Sequence, residues 1–170
     1  SAVNKNDDSA VVSVRAVIDP TIADSEADSI IVGKAEYTSE TGFGGNDIPA
    51  DWYVRDKNGK AVAYGIVSDS GSKPDYFDIA DWENLWNDRF DYSPAETISD
   101  NAAAVTWSDR TLKSGETLVC STKYGLYSEK PSSGNPPKTG DTAGYVFAGI
   151  GLCSMTAAIL TRKRRSDENE

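Results

Sequence analysis

The sequence contains no histidine, and it has only two cysteines and one methionine. Histidine is the commonest general base and the commonest metal ligand, so its absence argues against most hydrolase and zinc-dependent mechanisms. Basic residues are also few, because 17 Lys and Arg stand against 27 Asp and Glu and leave a net charge of −10. Phosphate binding requires a basic surface, so no nucleic-acid partner is expected. No metal and no cofactor are predicted.

The chain of 170 residues is long enough for one domain of ordinary size. It starts at Ser1 without an initiator methionine, which is consistent either with removal of a signal peptide or with a fragment. Residues 1–9 are polar, and we expect them to form a flexible lead-in.

The C-terminal part differs from everything before it. Residues 142–161 contain no charged side chain, and a helix of that length spans about 30 Å, the thickness of the hydrocarbon core of a bilayer. The sequence therefore predicts a transmembrane helix over 142–161. A basic cluster follows at once and begins the tail 162–170, which is expected on the cytoplasmic side; the cluster is Arg162, Lys163, Arg164 and Arg165.

A short motif stands immediately before this uncharged span: Pro136, Pro137, Lys138, Thr139 and Gly140. The two prolines hold the backbone extended and prevent a helix there. Together, the motif, the apolar span and the basic tail resemble the C-terminal sorting signal of LPXTG-type surface proteins of Gram-positive bacteria. Pro136 stands where that family usually has Leu.

The resemblance covers residues 136–170 and implies a covalent attachment to the cell wall. In that family the transpeptidase sortase cuts between the Thr and the Gly of the motif, which here would be Thr139 and Gly140. Thr139 would then be joined to an amino group of a peptidoglycan precursor. The implied partners are sortase, peptidoglycan and, before processing, the membrane, and the implied location is the cell wall after secretion and a transient single-pass membrane stage.

Residues 130–138 are rich in Pro, Ser and Gly and are predicted to be a linker. Residues 10–129 are therefore expected to form the extracellular domain. Their pattern predicts mainly strands. Every second residue from Ala10 to Ile18 is apolar, the period of a half-buried strand, and 29–38 form a second strand. Asn58-Gly59 between two apolar runs is a strong hairpin signal. We expect an immunoglobulin-like β-sandwich.

One segment of this domain has helical rather than strand periodicity. Ile79, Trp82, Trp86 and Phe90 recur at the spacing of one helix face, which predicts a short inserted helix over 78–90 that packs on the sheet. The two Trp residues of this stripe are expected in the core.

Three groups of residues could form sites, and each also has a purely structural interpretation. The acidic residues could bind calcium, but their spacing is not that of an EF-hand loop, and a solvated helix face is preferred; they are Asp75, Asp78, Asp81, Glu83, Asp88 and Asp91. The aromatic residues could stack on sugars, although a core role is preferred; they are Trp52, Tyr53, Tyr64, Trp82, Trp86 and Trp107. Lys34 could donate the amine of an isopeptide bond, but the last strand offers no Asn or Asp as its partner.

The sequence thus predicts a structural or adhesive surface domain that is a substrate of an enzyme and not an enzyme itself. The alternative is a wall-anchored carbohydrate-binding module. Tryptophans exposed on one face would favour the module, whereas buried tryptophans would favour the structural domain.

Overall fold

The computed structural model describes residues 1–20, 29–56, 58–87, 98–126 and 156–162. Within these residues the protein is mainly β, with twelve strands and one short helix. The strands are β1 (Ala2–Val3), β2 (Ala10–Ile18), β3 (Ser29–Val32), β4 (Ala35–Tyr37), β5 (Thr41–Gly44), β6 (Asp51–Arg55), β7 (Ala61–Ile66), β8 (Tyr76–Asp81), β9 (Asn101–Leu112), β10 (Thr117–Leu118), β11 (Lys123–Leu126) and β12 (Thr156–Arg162), and the helix is α1 (Trp82–Asn87).

Two five-stranded antiparallel sheets form the body of the fold. The first sheet has the order β11-β7-β6-β3-β4 and the second has the order β12-β2-β9-β8-β5. A single apolar cluster joins them: Trp52 and Val54 come from the first sheet, and Phe77, Val105 and Trp107 come from the second. This arrangement is that of a β-sandwich, as the alternating pattern predicted.

The predicted hairpin between two apolar runs is confirmed as β6 and β7. Asp56 organises its turn, because one carboxylate oxygen accepts hydrogen bonds from the Asn58 and Lys60 amides, both at 2.9 Å. Gly59 takes a φ of 75°, which disfavours residues with a Cβ. The single strand expected over 29–38 is instead the pair β3 and β4, because Gly33 turns the chain with a φ of 61°.

Residues 1–9 differ from the flexible lead-in that their polarity predicted. β1 pairs with β10, and Asn4 is buried. The Asn4 side-chain amide donates to the carbonyls of Leu112 (2.9 Å) and Asp8 (2.8 Å). The Asn4 backbone amide also donates to the Glu116 carbonyl at 3.0 Å. A buried polar side chain with its hydrogen bonds made can hold a terminus in place, and polarity alone does not reveal this.

The helix is shorter than its sequence pattern predicted and begins later. Ile79 belongs to strand β8 and is fully buried between the two sheets, whereas α1 starts at Trp82. Asp81 ends the strand and caps the helix, because its carboxylate accepts the Glu83 amide at 3.3 Å. The apolar stripe from Ile79 to Phe90 is therefore not one helix face; Phe90 lies outside the described residues.

α1 covers the outer face of the second sheet, away from the main core. Leu85 is fully buried there in a second apolar cluster. Its other buried members are small or β-branched: Val17, Ala80, Ala102 and Ala104. The second sheet is thus packed on both faces around β8 and β9.

Candidate functional site

The motif of the sorting signal, residues 136–140, and the basic residues 163–165 lie outside the described residues. Arg162 is the last residue of β12, which pairs with β2. Residues 142–155 of the predicted membrane helix also lie outside the described part, and 156–161 belong to β12, so this stretch is a strand in the structure. Among the helices of the described residues, none is long and apolar enough to cross a bilayer.

The six candidate aromatic residues separate into three environments. Trp52 and Trp107 are almost completely buried between the sheets, as expected for core residues. Tyr53 and Tyr64 come from neighbouring strands of the first sheet and lie with their ring centroids 5.0 Å apart. Tyr64 is buried, and its hydroxyl donates to Asp51 at 3.2 Å.

The third environment is the surface of α1. The rings of Trp82 and Trp86 stack with their centroids 5.5 Å apart and their planes 17° from parallel. Trp86 is 39% exposed, and Trp82 is half-buried. The expectation that Trp86 belongs to the core is therefore wrong. Leu85, which the sequence pattern passed over, occupies the buried position because the helix starts three residues after Ile79.

The acidic residues serve structural roles that differ from one residue to the next. Asp75 accepts the Ser108 amide at 2.8 Å and pairs with the Arg110 guanidinium at 2.9 Å. Asp81 accepts the Ser99 hydroxyl at 2.6 Å, and this hydrogen bond is the main reason why the pKa of Asp81 is lowered. Glu83 is exposed on α1.

Asp88 and Asp91 lie outside the described residues. Within the part of the chain that the structure describes, no three His, Cys, Asp or Glu side chains come together in a way that could hold a metal ion. Lys34 is exposed in the turn between β3 and β4, whereas an isopeptide bond forms between buried groups. The acidic cluster and Lys34 thus supply no site in the described residues.

A buried ion pair lies beneath α1 and was not predicted. Arg15 of β2 is 3% exposed, and its Nη2 lies 3.2 Å from Oδ2 of Asp78 on β8. Its Nη1 donates to the Leu85 carbonyl at 3.4 Å, which connects the pair to α1. Burial raises the pKa of Asp78 to about 6, although the Arg15 guanidinium acts in the opposite direction. Desolvation therefore outweighs the attraction between the two charges.

Glu40 is a second buried acid that sequence patterns did not reveal. One of its carboxylate oxygens accepts the Asn84 side-chain amide at 2.7 Å and the Asp81 backbone amide at 3.2 Å. Glu40 thereby connects the segment before β5 to the start of α1. Arg15, Glu40 and Leu85 thus attach α1, which carries the stacked indoles of Trp82 and Trp86, to the second sheet and to the segment before β5.

No family model, no curated protein and no solved structure matches this chain.

Proposed function

We propose that this chain is a surface protein of a Gram-positive bacterium that sortase joins covalently to peptidoglycan through Thr139. The observation that carries the proposal is the order of three parts in the sequence. The motif 136–140 comes first, the uncharged span 142–161 follows after Asp141, and the basic cluster 162–165 follows the span directly. The motif supplies an extended substrate, the span stops in the membrane, and the basic cluster sets the orientation.

The rest of the chain is consistent with display on a wall. Apart from β12, every strand of the two sheets lies within residues 1–126, and the last of them along the chain, β11, ends at Leu126. The Pro-, Ser- and Gly-rich linker 130–138 then separates the sandwich from the cleavage site. In this proposal the domain is an immunoglobulin-like structural or adhesive module and not an enzyme, and residues 142–161 cross the membrane as a helix until Thr139 is cleaved.

Mass spectrometry of protein released from the wall tests the proposal. In a Gram-positive host with a sortase that reads this motif, the wall-released protein should end at Thr139 and carry a peptidoglycan fragment. Thr139→Ala should leave the protein in the membrane or the medium, whereas Thr142→Ala, just beyond the motif, should still be attached. Wall-released wild-type protein that extends intact to Glu170 would contradict the proposal.

A second candidate function, a wall-anchored carbohydrate-binding module, is favoured by one observation. The Trp82–Trp86 stack lies at the surface, with Trp86 39% exposed, and exposed indoles pack well against the apolar faces of sugar rings. The burial of Trp52 and Trp107 favours the structural module instead. The two candidates agree on wall attachment and differ in whether Trp86 contacts a ligand.

A further inference from the structure

The pairing of the first sheet fixes the end of the sandwich from which the chain continues toward the sorting motif. β11 ends at Leu126, which lies beyond its partner pair with Ala63 only by leaving the sheet near the start of β7. The turn between β6 and β7 is at this same end, because Arg55 at the end of β6 pairs with Ala61 at the start of β7. We call this the linker end of the sandwich.

The helix α1 begins at the linker end as well. β4 finishes there, because its last residue, Tyr37, and Val54 of β6 both pair with Ile30. Just beyond β4, the Glu40 carboxylate accepts the Asp81 amide at 3.2 Å. Asp81 is the last residue of β8 and caps α1. The start of the helix is thereby placed beside the linker end of the first sheet.

The helix is too short to leave this end of the second sheet. α1 has six residues and is about 9 Å long. Its buried residue, Leu85, packs in one cluster with Ala80 and Ala102, which pair with each other one position from the ends of β8 and β9. The stacked indoles of Trp82 and Trp86 therefore lie in the half of the molecule that is nearer the linker end.

The proposed attachment point is close to this end in the chain. The segment 127–139 joins Leu126 to Thr139, and its thirteen residues span at most about 45 Å. In the attached protein α1 is thus held within tens of ångströms of the wall. Tethers of such length give effective concentrations on the order of millimolar. A ligand that belongs to the wall itself is therefore bound even when a single contact to it is weak.

Charge and ring geometry favour a neutral sugar as this ligand. The net charge of the chain is −10, and Glu83 is exposed on α1 between the two indoles in sequence. Like charge disfavours the anionic polymers of a wall. Trp82 covers one face of the Trp86 indole, and 39% of Trp86 stays exposed. The uncovered indole face suits the apolar face of a sugar ring.

We propose that the Trp82–Trp86 stack binds the glycan strands of the peptidoglycan to which Thr139 is joined. The inference rests on the proposed wall attachment and deepens the second candidate function, because it names the wall's own amino-sugar polymer as the ligand. The sugar ring lies on the face of Trp86 that Trp82 does not cover. The linker keeps this weak contact occupied and holds α1 against the wall.

Sedimentation of the full chain with insoluble peptidoglycan, freed of its anionic polymers and present at millimolar disaccharide, tests the proposal. Trp86→Ala should lower the bound fraction about fivefold, as the loss of one stacking contact does, whereas Trp86→Tyr keeps a flat ring and should retain most of the binding. Tyr76→Ala is the matched control and should bind like wild type, because Tyr76 is 50% exposed but begins β8, at the opposite end of that strand from α1. Circular dichroism verifies that each variant is folded, and the apolar segment 142–161 is common to all of them.

The possible failures have different meanings. Equal binding of wild type and Trp86→Ala, or an equal loss in Tyr76→Ala, would overturn the proposal. Binding to cellulose and not to peptidoglycan would overturn it too, but would leave a carbohydrate-binding module for another sugar. Binding to neither polymer would overturn it together with the second candidate function. Wall attachment through Thr139 is unaffected in each case, because the mass of the wall-released protein reports on it separately.

Discussion

Two neighbouring residues of α1 should respond to truncation in the reverse order of their size. Leu85 is fully buried, and its buried neighbours in the cluster include the short side chains of Ala80, Ala102 and Ala104. The short side chains of these alanines cannot fill the cavity that Leu85→Ala would leave. The variant should therefore lower the free energy of unfolding by about 3–5 kcal/mol, in the upper part of the range usual for Leu→Ala in a core.

Trp86 is larger than Leu85, but its truncation should lower the free energy of unfolding by less. Two fifths of its surface is already in water at 39% exposure, and its identified ring partner is Trp82, with which it stacks. An aromatic pair contributes about 0.5–1.5 kcal/mol beyond area burial, so Trp86→Ala should lower the free energy of unfolding by about 1–2 kcal/mol in total. A tryptophan in the core would instead cost about 3–5 kcal/mol.

Urea unfolding followed by circular dichroism measures both values, with equal m-values as the sign that the unfolded states are comparable. A loss at Trp86 equal to or larger than that at Leu85 would refute the placement of the helix. The Trp86→Ala variant also separates the two candidate functions in a pull-down with insoluble polysaccharides. In a carbohydrate-binding module, Trp86→Ala abolishes binding while the domain stays folded. In a structural domain, wild type and variant both remain in the supernatant.

Two further predictions concern the packing at two glycines and the titration of the buried Asp78. Gly65→Ala should destabilise the protein by about 1–3 kcal/mol in the same urea assay, because a Cβ there would collide with the Trp52 ring. Gly44→Ala is the control and should be nearly neutral, because a Cβ at Gly44 would meet Tyr76 at 3.4 Å, an ordinary contact distance. Equal effects of the two variants would refute this packing. The pKa of Asp78 is raised from 3.8 to about 6, so its contribution to stability is complete below pH 3.8 and is lost as the pH rises through about 6. The stability of wild type relative to Asp78→Asn should therefore fall by about 3 kcal/mol between pH 3.5 and 7, and a flat difference would show that desolvation does not outweigh the attraction of Arg15.

The strands and the hairpin could be predicted because they depend on local patterns. Alternation over 10–18 corresponds to β2, and Asn58-Gly59 marks the turn between β6 and β7. The start of the helix could not be predicted in the same way. Ile79 fits both a helix face and a strand that points into the core, and only the pairing of β8 with β5 and β9 decides between them. A pattern with two consistent periods needs tertiary contacts to resolve it.

The buried polar residues were hidden for a different reason. Arg15 alternates with apolar residues as a solvent-facing side chain would, and nothing near it in the sequence indicates a partner. That partner, Asp78, lies 63 residues away on β8. Glu40 likewise accepts hydrogen bonds from Asp81 and Asn84, which lie 41 and 44 positions further along the chain. Such pairs exist only once the second sheet has formed, and sequence periodicity carries no information about them.

The C-terminal segment illustrates why one composition suits two environments. A chain without charged side chains must still satisfy its backbone amides and carbonyls wherever water is absent. In a bilayer a helix does this within the segment itself, and at a sheet edge a neighbouring strand does it, as β2 does for 156–162 in the structure. Alanine, isoleucine, leucine and threonine are compatible with both. The composition of the segment is therefore compatible both with the membrane helix of the proposed function and with the strand that pairs with β2.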